Sequence, residues 1–313
     1  MESIYRQMIT EAQRCQSFKS RNGRDILDFP LDVPMGEDVH DFLEDTFDKY
    51  YQLTELINKR EESVQIDLEI LKSLGKSLLD VLNSVRYGTI IDAYLDFEKE
   101  MDRIKEQIPV WNMKRVKFYR MRGERNIERI TEMYPLPPEL RHLSGSVRFS
   151  IAGYPCFYFG QSQNVCKREI NDTGTMVSFE PNNDVEFKLF DLTFSEDINN
   201  SGEKELNFIH IWPLIASCYI NQFYCIKGGC ICPPKNIHFY EEYVIPHFFT
   251  TYVRRKCRDI QGIRYYTTRD KKLEIFGKGE KDMRNIVLFM DSRTDKSYDK
   301  FVRMFKWDEP YNV

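Results

Sequence analysis

Two glycine signatures of nucleotide-handling proteins are missing from this chain. No Gly-x-Gly-x-x-Gly follows a strand-like run and no Gly-x-x-x-x-Gly-Lys-Ser/Thr occurs anywhere. Both a doubly wound dehydrogenase and a P-loop NTPase are therefore disfavoured. Positive charge is not in excess either: 45 Lys and Arg face 49 Asp and Glu, a net charge of −4. Proteins that track phosphate backbones usually carry a basic surplus, so no general nucleic-acid partner is expected. No window approaches eighteen uninterrupted apolar residues, and the opening MESIYRQMITEAQR lacks the apolar centre of a secretory leader. No membrane span is expected, and the protein reads as soluble and cytoplasmic. None of the five histidines has an arginine five to seven residues upstream, which leaves a ribonuclease of the Arg-x4–6-His kind unsupported.

Eight cysteines are present, but paired Cys-x-x-Cys knuckles are not. Cys218, Cys225, Cys230, Cys232, His238, His247 and Cys257 fall near one another in sequence. The Cys230-Ile231-Cys232 spacing is too tight for a structural zinc site. Reduced cysteines packed as small apolar groups are expected, with no metal. The Gly228-Gly229 and Pro233-Pro234 pairs mark this stretch as a loop.

What is present is enough for a folded chain: 313 residues, 42% apolar and 30% charged, the size of one large or two ordinary domains. Val39, Phe42, Leu43, Phe47, Tyr50, Leu53 and Ile57 recur at helical spacing, as do Val64, Leu68, Leu71, Leu74, Leu78, Leu82 and Val85. Ile91, Tyr94, Phe97, Met101, Ile104 and Ile108 continue the pattern up to Pro109. With residues 1–14 these predict a bundle of about four helices over 1–108. From Val116 the pattern shifts to short β-rich runs, at 116–121, 147–150, 156–160, 185–193, 263–266 and 286–289. The expected class is α+β, a helical domain over 1–108 followed by a mixed α/β domain over 109–313. Pro135-Leu136-Pro137-Pro138 and the polar run 195–205 read as loops.

One block carries chemistry. In GSVRFSIAGYPCFYFGQSQNVCKREI, a strand reaching Phe149 puts Arg148 on a strand, Ala152 to Pro155 make a turn, Cys156 to Gly160 form an apolar strand, and a helix from about Ser162 carries Glu169. Thr267 lies far downstream in QGIRYYTTRD. A strand arginine that can fork onto phosphate oxygens, a helix carboxylate and a distant strand hydroxyl suit a protein that holds a dinucleotide and breaks its glycosidic bond. Arg120 and Arg122 alternate along a predicted strand and share a face, where they are candidates for phosphate contact. Phe149 and Tyr158 are candidates to stack on a substrate ring. The basic set Arg254, Arg255, Lys256 and Arg258 fits the exposed face of a helix better than a phosphate site.

Three stretches, Phe118–Arg122, Arg148–Glu169, and Tyr243–His247 running into Gly262–Arg269, resemble the RES-domain family, named for an arginine, a glutamate and a serine. The likeness spans roughly the last two-thirds of the chain. It implies a split β-sheet similar to that of ADP-ribosyltransferases, and an intracellular toxin that degrades NAD as substrate, with no bound cofactor. Carried over, the catalytic residues are Arg148, Glu169 and Thr267, with Arg120, Arg122, Phe149 and Tyr158 toward substrate. The family commonly has Pro-Ser where this chain has Tyr266-Thr267. Threonine keeps the hydroxyl but adds a methyl group and stiffens χ1. Thr268 is the second candidate, and on a strand only one of the two can face the cleft. The products could be those of hydrolysis or phosphorolysis. The other readings are an ADP-ribosyltransferase acting on a macromolecule and a catalytically weak NAD-binding module. A helix-turn-helix antitoxin or a defence-system partner is implied by the resemblance alone. For the N-terminal helices gating, partner binding, trigger recognition and self-association into a homo-oligomer all stay open.

Overall fold

The computed structural model describes residues 3–61, 65–170, 173–194, 202–222, 239–269, 283–290 and 295–313. Cys225, Cys230, Cys232, His238 and the Gly-Gly and Pro-Pro pairs of the expected loop lie outside the described residues, as does most of the run 195–205. Contacts divide the chain into two compact units. One comprises Met1–Pro109 with Phe194–Phe248, the other Val110–Thr193 with Phe249–Val313.

The first unit contains the four expected helices: α1 (Ile4–Arg14), α2 (Val39–Arg60), α3 (Leu68–Arg86) and α4 (Ile90–Ile104). The starts of α1, α2 and α3 are set by short polar side chains that satisfy first-turn N–H groups. The Ser3 side chain accepts from Arg6 N, Asp38 from Asp41 N, and Asp67 from Glu69 N and Ile70 N. Between α3 and α4 the chain reverses at Gly88, whose φ of +82° is left-handed backbone that a side chain would disfavour. The helices bury most of the periodic apolar positions, Ile91 being exposed and Val64 lying outside the described residues, and they pack against a segment that periodicity in the first hundred residues did not announce. α6 (Gly202–His210) and α7 (Trp212–Cys218) supply Phe208, Ile209 and Trp212 to this core, and the Trp212 ring stacks on Tyr50 at 3.9 Å. Buried Glu205 accepts from Tyr5 N at 2.8 Å. β1 (Leu31–Val33) pairs in parallel with β7 (Ile220–Gln222).

The second unit is built on one large mixed sheet, and with the helices of the first unit it makes the protein α+β. Its strands run in the order β10 (Phe305–Trp307), β5 (Thr175–Pro181), β3 (Phe118–Arg122), β4 (Cys156–Gly160), β9 (Arg284–Phe289), β8 (Gly262–Tyr266), β6 (Phe187–Asp191) and β2 (Val110–Met113), with β11 (Tyr311–Asn312) also on β5. Every pairing is antiparallel except β6 with β8. Phe118, Phe157, Phe159, Phe179, Leu189, Ile286 and Leu288 share one core. Phe187 of β6 stacks on Phe305 of β10 at 5.3 Å although the two strands lie far apart in the sheet order, so the sheet curls around that core. β3 and β4 meet at a single register position, Tyr119 with Gly160, and the sheet is split beyond it.

The opposite face at this point carries α5 (Gln163–Ile170), which follows β4 directly. The helix approaches so closely that a Cβ on Gly160 would fall 2.3 Å from Val165 Cγ1 and 2.7 Å from Cys166 Sγ. Only glycine fits there. Burial pushes the Cys166 thiol up to about 12, which makes it a packing group. No helix among the described residues is long and apolar enough to cross a membrane.

Candidate active site

The structure corrects the strand expected at 147–150. Val147 and Ser150 exchange both backbone hydrogen bonds with each other at 2.9 Å, so Arg148 and Phe149 sit at the tip of a four-residue turn. A segment this short closes on itself before it can join the sheet. The turn is anchored by Thr250 Oγ1 of α8 (Val244–Lys256), which donates to Phe149 O at 3.2 Å, and by the Phe149 ring against Tyr265 at 4.7 Å. Phe149 is thus fully buried in protein contacts and has no open ring face for a substrate. The anchored turn aims Arg148, itself largely buried, at the end of β8, where its Nη2 donates to Thr268 Oγ1 at 3.3 Å.

Glu169 and Thr267 meet directly. Thr267 Oγ1 donates to Glu169 Oε1 at 2.6 Å and accepts from Arg269 N at 3.1 Å, and the threonine is completely buried. β8 ends at Tyr266, so strand alternation does not extend to the next two residues. Thr267 faces Glu169 while Thr268 meets Arg148, and both hydroxyls are engaged, contrary to the expectation that only one would be. Asn285, which sequence reasoning did not single out, donates its Nδ2 to the same Oε1 at 2.8 Å. An asparagine between an arginine and an apolar run gives no sequence signal for this. Oε2 of Glu169 lies 3.5 Å from Nε of Arg269, whose side chain is 65% exposed.

Arg120 and Arg122 form a separate group. Alternation along β3 puts them on the Phe118 face, whereas Tyr119 and Met121 face α5. Arg122 Nη2 donates to Tyr134 O at 3.4 Å. Arg120 reaches across the split, donating Nη1 to Tyr158 O at 3.2 Å with its guanidinium 5.3 Å from the centre of the Phe157 ring. Its Nε is buried without a hydrogen-bond partner among the described residues. Burial and the neighbouring Arg122 charge pull Arg120 down to about 10. Neither guanidinium has a carboxylate partner among the described residues. Tyr158 is half-buried, and burial pushes its hydroxyl well above the ordinary tyrosine range. Arg254 is taken up in packing: its guanidinium lies 5.1 Å from the Tyr154 ring and donates to Met290 O at 3.3 Å.

A Bacillus subtilis (strain 168) protein named "Putative toxin YopC" is 24% identical over 306 residues, covering 88% of this chain. The chain spans 65% of that protein's length, just under two thirds. No protein-family model matches. No solved structure matches either.

Proposed function

We propose that the chain has a toxin-like role and that the second unit degrades NAD by cleaving its nicotinamide–ribose bond. The observation that carries this reading is the convergence of Arg148, Glu169, Thr267 and Thr268, positions far apart in sequence, through the 2.6 Å Thr267–Glu169 and 3.3 Å Arg148–Thr268 hydrogen bonds. Likeness to a protein named as a toxin supports the coarser part.

Nicotinamide in NAD carries a positive charge and departs neutral. As the C1′–N1 bond breaks, its electron pair passes to the ring nitrogen and positive charge develops on the ribosyl carbon and ring oxygen. No general acid is required. The site has to orient the sugar and supply negative charge beside it, which is the part assigned to Glu169. Arg148 grips the dinucleotide near that ribose. Arg120 and Arg122, two guanidinia with no carboxylate partner among the described residues, suit the pyrophosphate, which would also offer the buried Nε of Arg120 an acceptor. Water then attacks C1′ and gives up a proton, yielding ADP-ribose. Capture by phosphate would instead leave an ADP-ribosyl phosphate. Incubating the full chain with NAD and identifying the products tests the proposal. Free nicotinamide with a matching ADP-ribosyl product is expected, whereas label retained on a macromolecule would mean transfer, and binding without turnover would overturn the enzymatic reading.

The two threonines give a sharper result. Thr267→Ser keeps the hydroxyl and is expected to retain turnover. Thr267→Val removes a buried donor to Glu169 and strands the Arg269 N–H, for an expected loss of about tenfold or more. Thr268→Val removes the acceptor for Arg148, so its loss is expected to appear chiefly in KM. Wild-type kinetics for both valine variants would remove the hydroxyls from the mechanism.

A further inference from the structure

Glu169 is the next-to-last residue of α5, where the helix dipole places partial negative charge and disfavours another carboxylate. Two neutral donors offset this, and both converge on one oxygen: Thr267 Oγ1 at 2.6 Å and Asn285 Nδ2 at 2.8 Å from Oε1. Asn285 is 5% exposed, the second residue of β9, set between Arg284 and the apolar run Ile286 to Phe289. A buried carboxamide there is costly unless it is bonded, and the bond it makes is to Glu169. Oε2 is in a different position. Its neighbour Arg269 is mostly exposed, and an ion pair of that kind holds weakly and is readily exchanged for another partner.

We infer that Asn285 is a positioning residue: with Thr267 it pins Glu169 through Oε1, so that Oε2 is the oxygen presented to the substrate. Arg269 covers Oε2 until substrate takes its place. This inference rests on the NAD-cleaving reading and adds to it the orientation of the carboxylate.

The test uses the purified full chain and two variants of similar size, Asn285→Asp and Asn285→Leu, with melting temperature followed alongside. At pH 8 Asn285→Asp sets a second carboxylate against Oε1, where two like charges cannot both be accommodated, and kcat is expected to fall about tenfold or more with KM within about twofold. Lowering the pH toward 5 lets one proton sit between the two carboxylates, restoring a donor to Oε1, so turnover by this variant should recover relative to wild type. Asn285→Leu has no proton to gain and should stay impaired throughout. Wild-type kcat for either variant at pH 8, or a pH-independent loss common to both, overturns the inference. If the wild-type protein consumes no NAD, the function proposed above is what fails. The inference is then decided, as it is if a variant does not fold, by the Asn285 side-chain amide in 15N-labelled protein. Glu169→Ala should move its donor proton resonance, and an unmoved resonance overturns the inference.

Discussion

Glu169→Gln is expected to lower NAD turnover about 10²-fold while leaving the protein folded, the cost typical of removing one preorganised electrostatic group. The carboxamide is nearly isosteric and its oxygen can still accept from Thr267 and Asn285, so the half-buried site keeps its packing. What disappears is the negative charge beside the ribosyl carbon. Because that charge matters most as the glycosidic bond breaks, kcat should fall far more than KM rises. Turnover within a fewfold of wild type would exclude Glu169 from the chemistry.

The second large effect concerns stability. Asp191 Oδ2 accepts from Arg264 Nη1 at 3.1 Å with both side chains about 4% exposed, and Asp191 Oδ1 also accepts from Thr193 N and Thr193 Oγ1 at 2.9 and 2.6 Å. Asp191→Ala therefore takes the carboxylate from a buried guanidinium and two further donors at once. The expected destabilisation is about 3–5 kcal/mol. It can be read by urea denaturation through Trp111, whose ring lies 4.4 Å from the Arg264 guanidinium. Removing the exposed Lys72–Glu55 pair should cost at most about 1 kcal/mol by the same measurement. Equal losses from the two changes would mean that the buried pair has no special weight.

Much of the fold was legible because amphipathic periodicity reports burial directly. Most of the periodic apolar positions of α2, α3 and α4 are buried, with Ile91 of α4 an exposed exception, and the strand-then-helix reading of Cys156 to Ile170 matches β4 and α5. β5 escaped notice for a physical reason. All but one of its residues are buried, so the run Thr-Met-Val-Ser-Phe-Glu-Pro shows none of the alternation by which a half-exposed strand is recognised. Val147-Arg148-Phe149-Ser150 has the composition of a strand, whereas its backbone hydrogen bonds close a turn. Family likeness, not spacing, is what groups Arg148, Glu169 and Thr267, and the hydrogen bonds run between Thr267 and Glu169 and between Arg148 and Thr268. Asn285 was invisible because its importance lies in whom it touches across the sheet.

The interleaved course of the chain constrains the order of events at the ribosome. The helices of residues 1–109 leave the exit tunnel early, yet Trp212, which completes their core against Tyr50, is added only after two-thirds of the chain exists. The β-rich unit begins at Val110 but needs β8 and β9 before Thr267 and Asn285 can reach Glu169. Synthesis that stops anywhere short of Asn285 therefore releases a polypeptide without an assembled carboxylate site. On the proposed NAD-cleaving reading, activity would therefore wait for β9, which completes the site.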